Sequence, residues 1–390
     1  RNMLKYNFFT AINMIGMTVG IASCLLLMLY VSNELTYDNF HPDADRLYQV
    51  DLHGKVGGQD IRVASTCPPM AAALVSDMPE VESAMRIASM GDPVFRSGDK
   101  MFSESKVFYV DSNFFRFFGY RLLQGDAATA LNEPNSIVLD EKLAEKYFGT
   151  EDPVGKIIQI GGEKKSFKVT GVVEQAPANS HFDYHALASA SSAEQLKSTI
   201  WLNNFMYTYF KLKPNASIVG VQEKFIGMVE KYVGPELEKF MGTTLKQMKE
   251  AGGAFGYYTT PVRDIHLHST SQGDLEPGGS MMYVYFFGGI GIFILLIACI
   301  NFMNLATARS AGRAKEVGMR KALGSHRSQM IGQFLSESVL YSLMAVVLAM
   351  AATYFLLPYF NVLSGKELTI AFLGEPLVLV GIAGLVVVVG

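Results

Sequence analysis

The sequence predicts an α+β membrane protein: transmembrane helices, three complete and a fourth truncated, with a large mixed α+β extracytoplasmic domain between the first and second. Three observations predict it. The 390 residues are 49% hydrophobic and 18% charged, with a mean hydropathy of +0.21, but the charges are unevenly spread. Three windows carry no Asp, Glu, Lys or Arg: 28 residues between Lys5 and Glu34, 32 between Glu276 and Arg309, and 28 between Glu337 and Lys366. A bilayer core of about 30 Å needs roughly 20 apolar helical residues, so each window is long enough to span. Between the first two lies a polar stretch of 248 residues, 33–280, long enough for one sizeable core or two smaller ones.

Taken in order, residues 1–7 form a short basic stub, and 8–32 form the first span. Signal-peptide cores run to about 15 residues and end at a small-residue site. This window is longer and runs on through Tyr30-Val31-Ser32-Asn33-Glu34, so it reads as a retained helix. The second span, 281–305, is followed by the segment 306–330, and the third is 331–357. After a loop at 358–375, the apolar run 376–390 reads as the start of a fourth span. With Arg1 rather than Met at the beginning, the chain reads as truncated at both ends.

Lys and Arg in short loops set orientation. Segment 306–330 holds Arg309, Arg313, Lys315, Arg320, Lys321 and Arg327 against one acid, Glu316, and is expected on the cytoplasmic side with Arg1 and Lys5. Residues 33–280 then lie outside. Of 33 basic and 36 acidic residues, 24 and 32 fall there, a net of −8.

Within that region, Leu47–Leu52, Ser136–Leu139 and Phe167–Val173 read as strands, being rich in β-branched and aromatic residues. Thr66-Cys67-Pro68-Pro69 reads as a capped helix start, with Pro in the first turn. Asp140–Phe148 and Val219–Val233 read as helices. Strands and short helices interleave with no linker between them, which predicts α+β and marks no internal boundary.

The spans carry Gly16 and Gly20 in the first, and Gly288, Gly291, Asn301 and Asn304 in the second. Small residues let membrane helices approach closely, and Asn can bond across them. Packing within one bundle and a dimer or pseudo-dimer seam both fit this pattern. No charge sits mid-span, which argues against a proton- or ion-coupled carrier. The second span reads as continuing past the membrane into a short basic amphipathic helix. Gly324 suits its C-cap, Arg320 and Lys321 complement its dipole, and Gly312 and Gly318 interrupt good helix formers. Lipid contact and docking of a cytoplasmic partner both fit such a helix.

Catalytic and cofactor signals are missing. Gly149-Thr-Glu-Asp-Pro-Val-Gly155-Lys156-Ile157 has one residue too many for a phosphate loop and no hydroxyl after the lysine, so it reads as a turn. No nucleophile motif, paired-Cys cluster or nucleic-acid signature occurs, and Cys67 has no partner cysteine in the polar stretch. His181 and His185, with Asp183, are placed for one helical face, and His266 and His268 for strand spacing. Both pairs are expected to be surface or hydrogen-bonded histidines without a metal.

One resemblance sharpens the reading. Lys315-Glu316-Val317-Gly318-Met319-Arg320-Lys321-Ala322-Leu323-Gly324 resembles the signature of FtsX-like permeases, the type that includes the macrolide exporter MacB. Residues 39–50, 110–115, 146–156, 170–173 and 261–269 resemble successive parts of that family's periplasmic core domain, most like the Bacteroidetes variants. The resemblance implies a MacB-like core domain over 33–280 and an FtsX-like permease domain over 281–390. It also implies four spans per unit, and no metal at Asn179-Ser180-His181-Phe182-Asp183.

Arg313, Lys315, Glu316, Val317, Gly318, Arg320, Lys321, Ala322 and Gly324 would then form the segment that contacts a separate cytoplasmic ABC ATPase, the chain itself not being an enzyme. The expected function is ATP-driven export of a drug, peptide or lipoprotein by mechanotransmission from the bacterial inner membrane. A homodimer or duplicated pseudo-dimer and a periplasmic adaptor accompany that expectation, with no nucleic-acid partner and no cofactor. The rival is a non-transporting signalling or scaffold protein that regulates a periplasmic partner such as a cell-wall hydrolase.

Overall fold

The computed structural model describes residues 7–56, 58–312, 319, 326–374 and 376–389. In chain order, the elements are α1 (Asn7–Leu35), β1 (Leu47–Val56), β2 (Gln59–Val63), α2 (Met70–Asp77), β3 (Val81–Ser89), β4 (Val94–Ser97), β5 (Lys100–Ser103), β6 (Val107–Val110), α3 (Phe114–Phe118), β7 (Leu122–Gly125) and β8 (Ser136–Asp140). There follow α4 (Glu141–Phe148), β9 (Ile157–Ile160), β10 (Lys165–Val173), β11 (Ala186–Ser189), β12 (Tyr207–Leu212), α5 (Ile218–Met228), α6 (Gly234–Met241), α7 (Leu245–Glu250), β13 (Ala254–Pro261) and α8 (Val262–His268). The last helices are α9 (Met281–Gly312), α10 (Arg327–Ser364) and α11 (Pro376–Val389). They divide into two compact units. One comprises the residues up to Thr36 together with those from Ser280 onward, and the other runs from Tyr37 to Gly279.

In the helical unit, three helices are long and apolar enough to cross a membrane, over Ala11–Leu35, Met281–Asn304 and Ser328–Ser364. Met17, Ile21 and Ala22 of α1 pack with Phe302 of α9 and Tyr341, Ala345 and Ala349 of α10. At about 1.5 Å per residue, the 38 residues of α10 reach roughly twice the hydrocarbon thickness. That helix is longer than the apolar run 331–357 suggests, because helical hydrogen bonding continues to Gly365, whose φ of 66° caps it. The α11 helix has 14 residues.

The second unit is built on one sheet whose order is β13-β1-β12-β3-β6-β11-β8-β10-β9-β4-β5, with β2 on β1 and β7 on β10. The β10–β8 and β11–β6 pairs are parallel and the other strand pairings are antiparallel. The expected strands at 47, 136 and 167 and the helix after Asp140 are all present. That aspartate caps α4 by accepting from the Leu143 N–H at 2.6 Å. The α5 helix runs on into a wider turn over Val229–Val233.

Three local expectations are corrected. Helix α2 begins at Met70 and not at Thr66, whose hydroxyl bonds to Met206 O and Thr208 and is buried in a bridge beside β12. His266 and His268 lie on α8, not on a strand. Residues 181–185 are not helical, so His181 and His185 do not share a helix face.

The core of this unit is unusually aromatic on one side. Phe114, Phe115, Phe117 and Phe118 of α3 pack with Phe182, Tyr184 and Tyr209. Two residues in the run 110–115 hold that helix in place. Asp111 accepts from Arg86 Nη2 at 2.7 Å and Nε at 3.0 Å, a bidentate pair, and Asn113 donates to Ala84 O at 3.1 Å. This motif is scaffold.

Candidate functional site

In the helical unit, α1 and α9 meet along small residues. A Cβ added at Gly20 would lie under 3.0 Å from the Ala298 Cβ, and one at Gly16 would lie 3.2 Å from Asn301 Nδ2. Gly291 faces Leu27 and Cys24, Gly288 faces Val31, and the Tyr30 and Phe287 rings meet edge to face at 5.3 Å. The absent side chains let the two backbones approach. Gly16, Gly20, Gly288, Gly291 and Asn301 therefore meet between α1 and α9, and Asn301 and Asn304 are both exposed. In the last turn of α1, the Glu34 carboxylate is buried and paired with Lys366 Nζ at 2.5 Å. The basic-segment residues Arg313, Lys315, Glu316, Val317, Gly318, Arg320, Lys321, Ala322 and Gly324 lie outside the described residues.

In the α+β unit, the first and last residues close on one helix. The Tyr37 ring stacks on His266 of α8, with centroids 3.4 Å apart and planes 3° from parallel. The Gly279 N–H donates to His266 O at 2.7 Å, and a Cβ at Gly278 would lie 3.1 Å from the same carbonyl. The strand leading into α8 is β13, which pairs with β1 over eight residues. Both ends of this unit thus meet on α8.

Next to Tyr37 stands a buried cluster. Asp38 is a non-glycine residue with a φ of 58°, and its N–H donates to Asn179 O at 2.9 Å. Its carboxylate accepts from the His181 backbone N–H at 3.2 Å and lies 2.8 Å from His181 Nδ1 and 3.4 Å from His41 Nε2. On the far side of each ring, His41 Nδ1 meets Phe118 O at 2.8 Å, and His181 Nε2 meets the Tyr209 hydroxyl at 3.1 Å. Burial alone would raise the Asp38 carboxyl. The two imidazoles held against it, His181 ahead of His41, outweigh that effect and keep the group well below the usual carboxylate range.

Sequence reasoning noticed His181 but paired it with His185, which instead sits 2.9 Å from Asp140. His41 was visible only as part of the run 39–50, and Asp38 was not singled out. The three residues are 143 positions apart at the extremes, so no local spacing joins them.

An α+β unit inserted in sequence between long apolar helices that pack through glycines defines a membrane permease with a periplasmic-type domain. The chain belongs to the MacB-like, FtsX-like permease family: the MacB-like periplasmic core domain matches residues 10–227 and the FtsX-like permease C-terminal matches 288–390. Among curated relatives, the macrolide export ATP-binding/permease protein MacB of Pasteurella multocida is 23% identical over 351 residues, 89% of this chain and 49% of the relative. The pyoverdine export ATP-binding/permease protein PvdT of Pseudomonas syringae is 24% identical over 364 residues, 90% and 50%. The chain spans about half the length of such relatives. Among solved structures, a domain of a permease protein from Porphyromonas gingivalis is 24% identical, with a TM-score of 0.48, and covers 57% of this chain and 91% of its own. The periplasmic region of MacB from Actinobacillus actinomycetemcomitans is 17% identical, with a TM-score of 0.35, over 56% and 90%.

Proposed function

We propose that this chain is the permease subunit of an ABC exporter in which a separate cytoplasmic ATPase moves a periplasmic domain. In this reading the chain is multi-pass in a bacterial inner membrane, with 306–330 inside, the α+β unit outside and α11 beginning a fourth span. It hydrolyses nothing itself. The ATPase contacts 313–324, and movement passes along α1 and α9, whose glycine seam makes them one paired lever. The names of its relatives make macrolide- or pyoverdine-like cargo the first to try. A dimer or duplicated unit and a periplasmic adaptor complete the machine.

The observation that carries this reading is the double attachment at His266, where Tyr37 and Gly279 meet. In this reading a displacement entering at either end of the α+β unit reaches the same helix, α8, and the adjoining strand β13, which pairs with β1. A loosely tethered domain would dissipate it.

The experiment is Gly318→Trp in the full chain co-expressed with its ATPase. Expected are loss of ATPase co-purification and of ATPase stimulation, with an unchanged protease-digestion pattern for the α+β unit. Normal stimulation by that variant refutes the coupling assignment.

A further inference from the structure

We propose that Asp38, His41 and His181 form a binding site for a divalent metal ion of the zinc class, seated where the chain leaves α1. This goes beyond the coupling reading and does not depend on it. Asp38 Oδ1, His41 Nε2 and His181 Nδ1 all lie within 4.8 Å of one another, and the three side chains are 0%, 0% and 2% exposed.

The proton inventory points to a missing cation. Phe118 O can only accept, so His41 Nδ1 carries the proton in that 2.8 Å bond. A neutral His41 then turns the bare lone pair of Nε2 toward the Asp38 carboxylate, 3.4 Å away in a site closed to water. Two acceptors facing each other in a buried site repel. A proton on Nε2 would relieve this through a hydrogen bond. But neither His41 Nε2 nor His181 Nδ1 has hydrogen-bond geometry to any described partner, although both lie close to Asp38 Oδ1. The three donor atoms sit together in one buried cluster, within 4.8 Å of one another.

The surroundings suit a metal. Ligating histidines characteristically give their other ring nitrogen to a carbonyl or another acceptor, which fixes the tautomer. Here Phe118 O serves His41, and the Tyr209 hydroxyl serves His181 Nε2. In a tetrahedral site with bonds near 2.0–2.1 Å, ligand atoms sit roughly 3.3 Å apart. The 3.4 Å separation of Asp38 and His41 already fits, and the 2.8 Å separation of Asp38 and His181 needs to open by about half an ångström. Two imidazoles and one carboxylate are a borderline donor set that favours Zn²⁺ over Ca²⁺ or Mg²⁺. The site has no exposed face for a substrate, so the ion would pin the residues following α1 to the segment preceding β11.

The test uses the full chain in detergent. Zinc is measured by mass spectrometry after growth with zinc, after chelation and after reloading with Zn²⁺ or Co²⁺. Expected are about one ion per chain, a melting temperature that falls on chelation and recovers on reloading, and the visible d–d band of tetrahedral Co²⁺. Zinc-edge absorption of the wild-type protein should show scattering from two imidazoles, a readout that needs no variant. Tyr209→Phe keeps the core filled and should weaken zinc about 10–100-fold, as loss of an outer-shell partner does. The double variant His41→Gln, His181→Gln should hold no zinc. A folded wild-type protein that neither retains nor rebinds Zn²⁺ or Co²⁺ overturns the proposal. So does stoichiometric zinc without histidine scattering, or zinc retained by the double variant.

Discussion

The seam between α1 and α9 makes the most direct physical prediction, at Gly20. A methyl group there would fall under 3.0 Å from Ala298 Cβ, whereas ordinary contact begins near 3.4 Å, so the helices must open by about half an ångström or more. The neighbouring Ala298 Cα and Ile294 O, both at 3.8 Å, would be in ordinary contact, so the clash is with the Ala298 methyl group. Overpacking of this kind costs typically about 1–3 kcal/mol, and the better helix propensity of Ala returns at most about 1 kcal/mol. Gly20→Ala should therefore destabilise by up to about 2 kcal/mol, and Gly20→Leu by more. Gly289 on α9 supplies the control, because a Cβ there meets nothing within 4 Å and Gly289→Ala should stabilise by up to about 1 kcal/mol.

The assay is reversible unfolding of the full chain in detergent, run as a double-mutant cycle with Ala298→Gly. If the clash is the cause, Ala298→Gly should recover about 1–2 kcal/mol of the Gly20→Ala loss as coupling energy. Gly20→Leu as stable as wild type, or a coupling energy near zero, would refute the close-approach reasoning.

Two predictions follow from titration in the α+β unit, beside the coupling and metal tests above. Asp51 is fully buried, and burial pushes its carboxyl up to about 6, against an accepted hydrogen bond from Thr260 at 2.5 Å and one from Gln49 at 2.7 Å. The folded state then holds a proton that the unfolded state has released, so stability falls as pH rises from about 4 to 6. Asp51→Asn should remove that loss, raising stability at pH 7.5 by up to about 3 kcal/mol and having little effect below pH 4; denaturant titrations across pH check it. At His185, the hydrogen bond to Asp140 raises the imidazole above its usual value. Its contribution is present at acid pH and lost as pH climbs through the folded value. Asp140→Asn, which keeps a helix cap, should bring the His185 titration back toward about 6.5, as NMR of labelled histidine would show.

Much of this molecule was readable from local patterns. The three apolar windows and the capped helix after Asp140 depend on residues adjacent in the chain, where hydropathy and capping act directly. Reading failed where the deciding partner was remote. Thr66 looked like a helix cap, but Met206 and Thr208 claim its hydroxyl. His181 looked like half of a pair with His185, and only the folded chain brings Asp38 and His41 to it.

The glycine seam lies between these cases. The sequence marked Gly16, Gly20, Gly288 and Gly291 as small residues in apolar windows, and composition alone left their neighbours open. Packing decided that these four positions and Asn301 meet between α1 and α9.

What the sequence determined by itself is the division into apolar helices and one acidic α+β region, because burial in lipid and the two hydrophobic periodicities are properties of the chain read in order. The tertiary structure decided the junction. Tyr37 and Gly279, at opposite ends of the α+β unit, close on His266. Asp38 meets its two histidines beside them, because satisfying buried charges and carbonyls is settled by what the fold brings within a few ångströms.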